Sequence, residues 1–162
     1  VLLMGPDRDL LRTAPMLVGL TEDEFDALLG IGQVSQWRAR ERIVTEGTPS
    51  DALFILLRGS VQVEKEAAGA KAVVLAVLQQ PGDCFGEMSL IDIQPRSAHI
   101  CAREEVELLA LPKKQLTGLF GQFPRIQMTI ILNIARNLSL RLREADERIV
   151  ALSRPAQART GG

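Results

Sequence analysis

The chain has 162 residues, 46% of them hydrophobic and 24% charged, with 19 basic side chains against 20 acidic ones for a net charge of -1. A chain of this size fills about one domain and buries a sizeable core without staples, which excludes a disordered segment, a collagen-like repeat and a disulfide mini-protein. The near balance of charge also argues against a nucleic-acid coat that works by neutralising phosphates.

Residues 1–32 read as a helical segment. Leu10 and Leu11 before Pro15 suggest one short turn. Thr21-Glu22-Asp23-Glu24 is a capping box, and Phe25, Leu28 and Leu29 give the helix that follows an apolar face ending at Gly30. Residues 33–111 are β-rich. Strand-like runs fall at 33–40, 53–57, 61–63, 73–78, 99–103 and 106–111, with a small-residue hairpin tip over 67–71 and Gly/Pro turns at 46–50 and 81–83. Many short strands at even spacing predict a mainly β fold with flanking helices, a double-stranded β-helix or jelly-roll barrel.

Residues 112–153 return to helix. A short helix over 112–120 is followed by a long one that opens at Pro124 and runs to about 153 without an internal Gly or Pro, with a hinge near 121–124. Its first half (Ile126, Met128, Ile130, Ile131, Leu132, Ile134) is apolar almost all round and is expected to be buried against the barrel. Its second half carries one stripe, Ile131, Ala135, Leu138, Leu142, Ala145, Ile149 and Leu152, at coiled-coil spacing. That seam packs either on the protein's own domain or on a second copy. Residues 154–162 form a Pro/Ala/Gly/Thr-rich tail, expected to fray. No apolar run approaches the ~20 residues of a membrane span. The opening residues lack the features of a signal peptide, so a cytoplasmic protein is expected.

The chemistry is sparse outside one segment. His99 is the only histidine, which excludes metal sites built from two or three, and a strand histidine with a satisfied hydrogen bond is expected. Cys84 and Cys101 lack metal-type spacing and read as small hydrophobes. Nucleophilic catalysis finds no credible base, and no enzyme activity is expected. Arg38, Arg40 and Arg42 beside Trp37 alternate on one strand and read as a solvated face. The exception is the stretch from Gly82 to Ala98. Phe85-Gly86-Glu87 leads into the short apolar turn Met88-Ser89-Leu90-Ile91, and Pro95-Arg96-Ser97 follows. Glu87 is an acceptor-only carboxylate, Arg96 a fork of donors shaped for phosphate, and Ser97 one donor more. Together with backbone N–H groups freed by Gly86, they suit a ligand with sugar hydroxyls and a phosphate, a nucleotide. A loop carrying a surface Glu87–Arg96 ion pair is the other reading.

Phe85-Gly86-Glu87-Met88-Ser89-Leu90 followed by Pro95-Arg96-Ser97-Ala98 resembles the phosphate-binding cassette (85–98) of the cyclic-nucleotide-binding domain, the family of catabolite activators, protein kinase A regulatory subunits and nucleotide-gated channels. Glu46-Gly47, Asp51 with 53–56, 59–63, 81–83 and the long helix after Pro124 fit the same pattern, so the likeness covers roughly residues 15–150. It implies that Glu87 accepts from the ribose 2′-hydroxyl, that Arg96 and Ser97 hold the cyclic phosphate, and that Gly86, Met88 and Ser89 lend backbone groups. Leu75 and Leu78 are implied as walls of the sugar and base. Serine after the arginine favours cAMP over cGMP. Where the bacterial activators carry a Thr-Ser pair on the long helix, this chain has Arg141-Leu142, with Arg141 placed either to meet a purine or to sit solvated beside the seam; cyclic di-GMP stays in play. The expectation is a regulatory sensor that signals through the long helix: a homodimer through that helix, an unknown protein partner, no metal and no membrane. Nine residues follow Ser153, too few for a helix-turn-helix, so direct DNA binding is not expected. The competing expectation is a ligand-free dimerisation module of the same fold.

Overall fold

A computed structural model describes residues 6–66, 71–91 and 94–153. The expected hairpin tip falls largely, and the tail wholly, outside the described residues. Two helices open the chain, α1 (Pro6–Thr13) and α2 (Glu22–Gly30). Residues 6–13 form a full helix of eight residues rather than the single turn expected from sequence. Arginines steady it, since Arg8 pairs with Asp26, Arg12 with Glu22, and both guanidinium groups lie over the Phe25 ring. The capping box forms as read: Thr21 N–H donates to Glu24 Oε2 at 2.8 Å, and Glu24 N–H returns to Thr21 Oγ1 at 3.3 Å.

Among the described residues eight strands follow: β1 (Gln33–Trp37), β2 (Arg42–Val44), β3 (Ala52–Arg58), β4 (Val61–Lys65), β5 (Val73–Leu78), β6 (Cys84–Phe85), β7 (His99–Ala102) and β8 (Val106–Pro112). They form two antiparallel four-stranded sheets, ordered β1-β8-β3-β6 and β2-β7-β4-β5. The strand expected over 33–40 stops at Trp37. There the backbone turns through Arg40 at φ 70, whose N–H donates to Ala102 O at 2.8 Å, and restarts as β2.

β3 shows why the sheets stack as they do. It is buried on both faces, so it reads as a continuous apolar run. Leu53, Ile55 and Leu57 point towards the helices and join Leu11, Phe25, Leu28, Leu109 and Leu111 in one core cluster. Leu56 points the other way and meets Val44, Val61, Ile100 and Leu108 in a second cluster between the sheets. The result is three layers: helices, inner sheet, outer sheet.

Two helices close the chain, α3 (Lys113–Gln122) and α4 (Pro124–Ser153). The first half of α4 is not buried all round. Ile126, Ile130 and Ile134 are buried, whereas Met128 is 65% and Leu132 49% exposed. The reason is that α4 packs on one layer only, leaving its far side uncovered. Asn133, which interrupts the apolar run in the sequence, is buried on the packed side, where Nδ2 donates to Met16 O at 3.0 Å and Val18 O at 2.8 Å. Arg125 adds an ion pair to Glu24 at 3.0 Å. Beyond residue 138 the side chains of α4 are largely exposed. Ile130→Ala is expected to cost about 2–5 kcal/mol in urea unfolding, and Met128→Ala no more than about 0.5 kcal/mol.

Candidate functional site

Between the outer sheet, β6 and α4 lies a cavity of about 360 Å³. Its apolar wall comes from Val44, Val63 and Ile100, and its polar rim from Ser50, Glu87, Arg96 and Arg141. The cavity exists because the chain leaves the sheet twice beside it, through the loop before β3 and through the segment after β6.

Arg96 organises the first of these. Gly47 N–H donates to Arg96 O at 2.8 Å, and Arg96 N–H donates to Thr48 O at 2.9 Å, so the loop and the arginine are tied backbone to backbone. The Arg96 side chain is only 7% exposed. Its Nη2 donates to Ala52 O at 2.8 Å and lies 3.3 Å from Asp51 Oδ1, and its guanidinium sits 5.8 Å from the Phe54 ring centroid. Burial pushes the guanidinium below its usual range, and Asp51 and Glu87 pull it back up. Nη1 is buried with no hydrogen-bond partner, as is Ser50 Oγ. A buried charged donor without an acceptor is costly, so this arrangement suits an anion that supplies one.

The second departure begins where Phe85 stacks on Phe54, ring centroids 5.0 Å apart. Gly86 then takes φ 79 and caps a 3-10 turn, Glu87–Leu90. A Cβ on Gly86 would lie 2.3 Å from Arg96 Nη1 and 2.9 Å from Ala52 O, so both conformation and space require glycine. The Glu87 side chain is buried, and its Oε1 is 3.2 Å from Arg141 Nη1. Arg141 Nη2 also donates to Cys84 O at 3.0 Å. Residue 141, nearly five turns into α4, therefore reaches across the cavity mouth to the carboxylate.

The structure brings together Phe85, Gly86, Glu87, Met88, Arg96, Ser97 and Arg141 around one cavity. Ser89 lies in the 3-10 turn beside them. Leu75 and Leu78 are not brought there: Leu75 is half-exposed on β5, and Leu78 is buried in the core between the sheets. Missed from the sequence were Val44, Ser50, Val63 and Ile100. The alternation of Val61 and Val63 carried a signal for the wall, whereas Ser50 looked like plain turn chemistry.

His99 is buried and bonded, as expected of a strand residue. Its Nδ1 accepts from Glu46 N–H at 2.9 Å, and its Nε2 lies 3.2 Å from Glu66 Oε1. Cys84 is buried, and desolvation together with Glu87 pushes its thiol up to about 12. Cys101 is only half-buried and donates to Glu64 Oε1 at 2.9 Å. Among the described residues no group of three or more His, Cys, Asp or Glu is placed to hold a metal ion, and no helix is long and apolar enough to cross a membrane.

The family profile of the cyclic nucleotide-binding domain matches residues 34–123. The chain is 34% identical over 143 residues to the cyclic AMP receptor protein of Thermus thermophilus, covering 88% of this chain and 64% of that protein. It is 31% identical over 121 residues to human cGMP-dependent protein kinase 2, covering 74% of this chain and 16% of the kinase. The chain thus spans less than two thirds of either curated relative. Among solved structures, a cyclic nucleotide-binding domain from Methylobacillus flagellatus superimposes with a TM-score of 0.81 at 25% identity, covering 96% of this chain and 90% of that one.

The tight seat of Gly86 makes a direct prediction. Gly86→Ala is expected to lower stability by about 1–3 kcal/mol through its left-handed backbone alone, with more from the contact with Ala52 O, as read by thermal or urea unfolding.

Proposed function

The chain belongs to the cyclic nucleotide-binding domain family, and on that premise we propose that it is a regulatory sensor which takes a cyclic nucleotide into the cavity between Glu87, Arg96 and Arg141. The observation that carries this is the buried, unpartnered Arg96 Nη1 at a cavity that also holds a buried carboxylate. The cyclic phosphate supplies the acceptor that Nη1 lacks, and Ser97, with backbone groups of Gly86, Met88 and Ser89, completes the anion's shell. Glu87 accepts from the ribose 2′-hydroxyl. Phe85 backs the cassette through its stack on Phe54.

The base lies towards α4, where Arg141 meets it by stacking or at its edge. We favour cAMP over cGMP. Serine rather than threonine follows Arg96, and the relative from Thermus thermophilus is a cyclic AMP receptor. Binding is read out by α4. Arg141 already holds Glu87, so a ribose that takes the same carboxylate changes how the helix is tethered. The exposed seam of Leu142 (62%), Ile149 (61%) and Leu152 (86%) then serves as a homodimer surface, with a downstream protein as the recipient of the change.

Calorimetric titration with cAMP, cGMP and cyclic di-GMP tests this. Saturable binding of cAMP is expected, weakened at least about 100-fold in Arg96→Leu because a buried charge-assisted contact is lost. Hydrogen exchange of α4 beyond residue 138 is expected to change on binding. No heat for any of the three ligands, after removal of carried-over nucleotide, would leave a dimerisation module instead. The seam makes a separate prediction. Sedimentation is expected to show a dimer, and the double substitution Leu142→Glu and Ile149→Glu to convert it to monomer with the nucleotide affinity within about threefold.

A further inference from the structure

Ser50 stands out among the residues lining the cavity. Its hydroxyl oxygen is sealed from solvent and has no hydrogen-bond partner, although it lies on a polar loop where an outward-turned serine would be solvated. The loop that carries it is the one clamped to Arg96. Gly47 N–H and Thr48 O bond the Arg96 backbone from before Ser50, and Asp51 and Ala52 meet the Arg96 guanidinium from after it. Ser50 is thereby held on the arginine's side of the cavity. The second buried and unpartnered polar atom on this wall is Arg96 Nη1 itself. One is a cationic donor and the other a hydroxyl that can donate. Neither satisfies the other, and one anionic oxygen group satisfies both.

We propose that Ser50 is an additional ligand residue, donating its hydroxyl to an exocyclic oxygen of the cyclic phosphate held by Arg96. This rests on the nucleotide-binding reading above and adds to it a residue outside the 85–98 segment. The assignment to phosphate rather than ribose follows from the loop, which wraps Arg96 through four contacts between residues 47 and 52. It also follows that Ser50 contributes no hydrogen bond to the free protein, so removing its hydroxyl leaves the fold intact.

The test uses this chain with cAMP or cGMP, whichever it binds, and with the two phosphorothioate diastereomers of that nucleotide, each of which replaces one exocyclic oxygen by sulfur, a weak acceptor. Ser50→Ala is expected to leave the melting temperature of the free protein unchanged or raised, and to weaken nucleotide binding about 10-fold, the loss of one hydrogen bond to a charged group. Ser50→Thr, which keeps the hydroxyl, is expected to restore most of that loss. Against one diastereomer the Ser50→Ala penalty is expected to vanish, and against the other to persist. Binding within twofold of the parent in Ser50→Ala would overturn the role of Ser50 and leave the sensor intact. An equal penalty with both diastereomers would overturn the phosphate assignment. A parent chain that binds neither nucleotide would overturn the sensor reading and Ser50's role with it.

Discussion

A guanidinium carries its charge at every pH a protein meets, so burying one obliges the surrounding chain to supply acceptors. Arg96 imposes that demand here, and much of the site follows from it. Ala52 O and Asp51 answer one nitrogen. The Phe54 ring offers its face to the charge. The loop over residues 47–48 grips the arginine's backbone on both sides. Gly86 gives up its side chain because Arg96 Nη1 occupies the place. The loop over residues 47–54 and the turn at Gly86 are thus brought to one point by one side chain. The second guanidinium nitrogen is still unsatisfied, and that remainder is what supports reading the place as an anion site.

The platform under Arg96 is β3. Its start supplies Ala52 and Phe54 to the site, while Leu53, Ile55 and Leu57 on its other face are core residues shared with α1, α2 and α4. A shift of one residue in its pairing with β8 would exchange these faces. The register Leu53↔Leu111, Ile55↔Leu109 therefore does two things at once. It buries the apolar set against the helices and aims the carbonyl and the aromatic ring that hold Arg96.

Much of this was legible in the residues. The capping box and the both-faces-buried run at β3 each carry a local physical signature, whereas the glycine-glutamate and arginine-serine pairs stood out by their likeness to a family motif, and the structure places them around one cavity. Other features had none. β2 and β6 are two or three residues long, too short for alternation to show, and exist because longer neighbours offer them hydrogen bonds. Apolar residues all round the start of α4 pointed to complete burial, but periodicity does not report how many layers a helix touches; Met128 and Leu132 face outwards because only one does. Leu75 was placed at the ligand by likeness alone, and the structure leaves it half-exposed on β5 and outside the cavity lining. Ser50 was hidden for the opposite reason. A serine in a turn is ordinary until burial strips it of water.

The two halves of α4 differ in a way that bears on the sensor proposed here. The first half is anchored by Ile126, Ile130, Ile134 and the two hydrogen bonds of Asn133. Past residue 138 α4 is tied to the rest of the domain by Arg141 and by a long 3.5 Å contact from Arg148 Nη1 to Leu75 O. A segment with few buried apolar contacts belongs to the low-stability end of a fold, where opening costs least. The strength of the Arg141–Glu87 pair matters in the same light. Arg141 keeps 36% of its side chain in solvent, so the pair is screened and modest, whereas a fully buried pair would resist separation. A ligand shifts an equilibrium only by the difference in its affinity for the two states. In the sensor proposed here, one ribose hydroxyl would compete with the half-exposed Arg141 for the buried Glu87 carboxylate, at a point where α4 has few buried contacts.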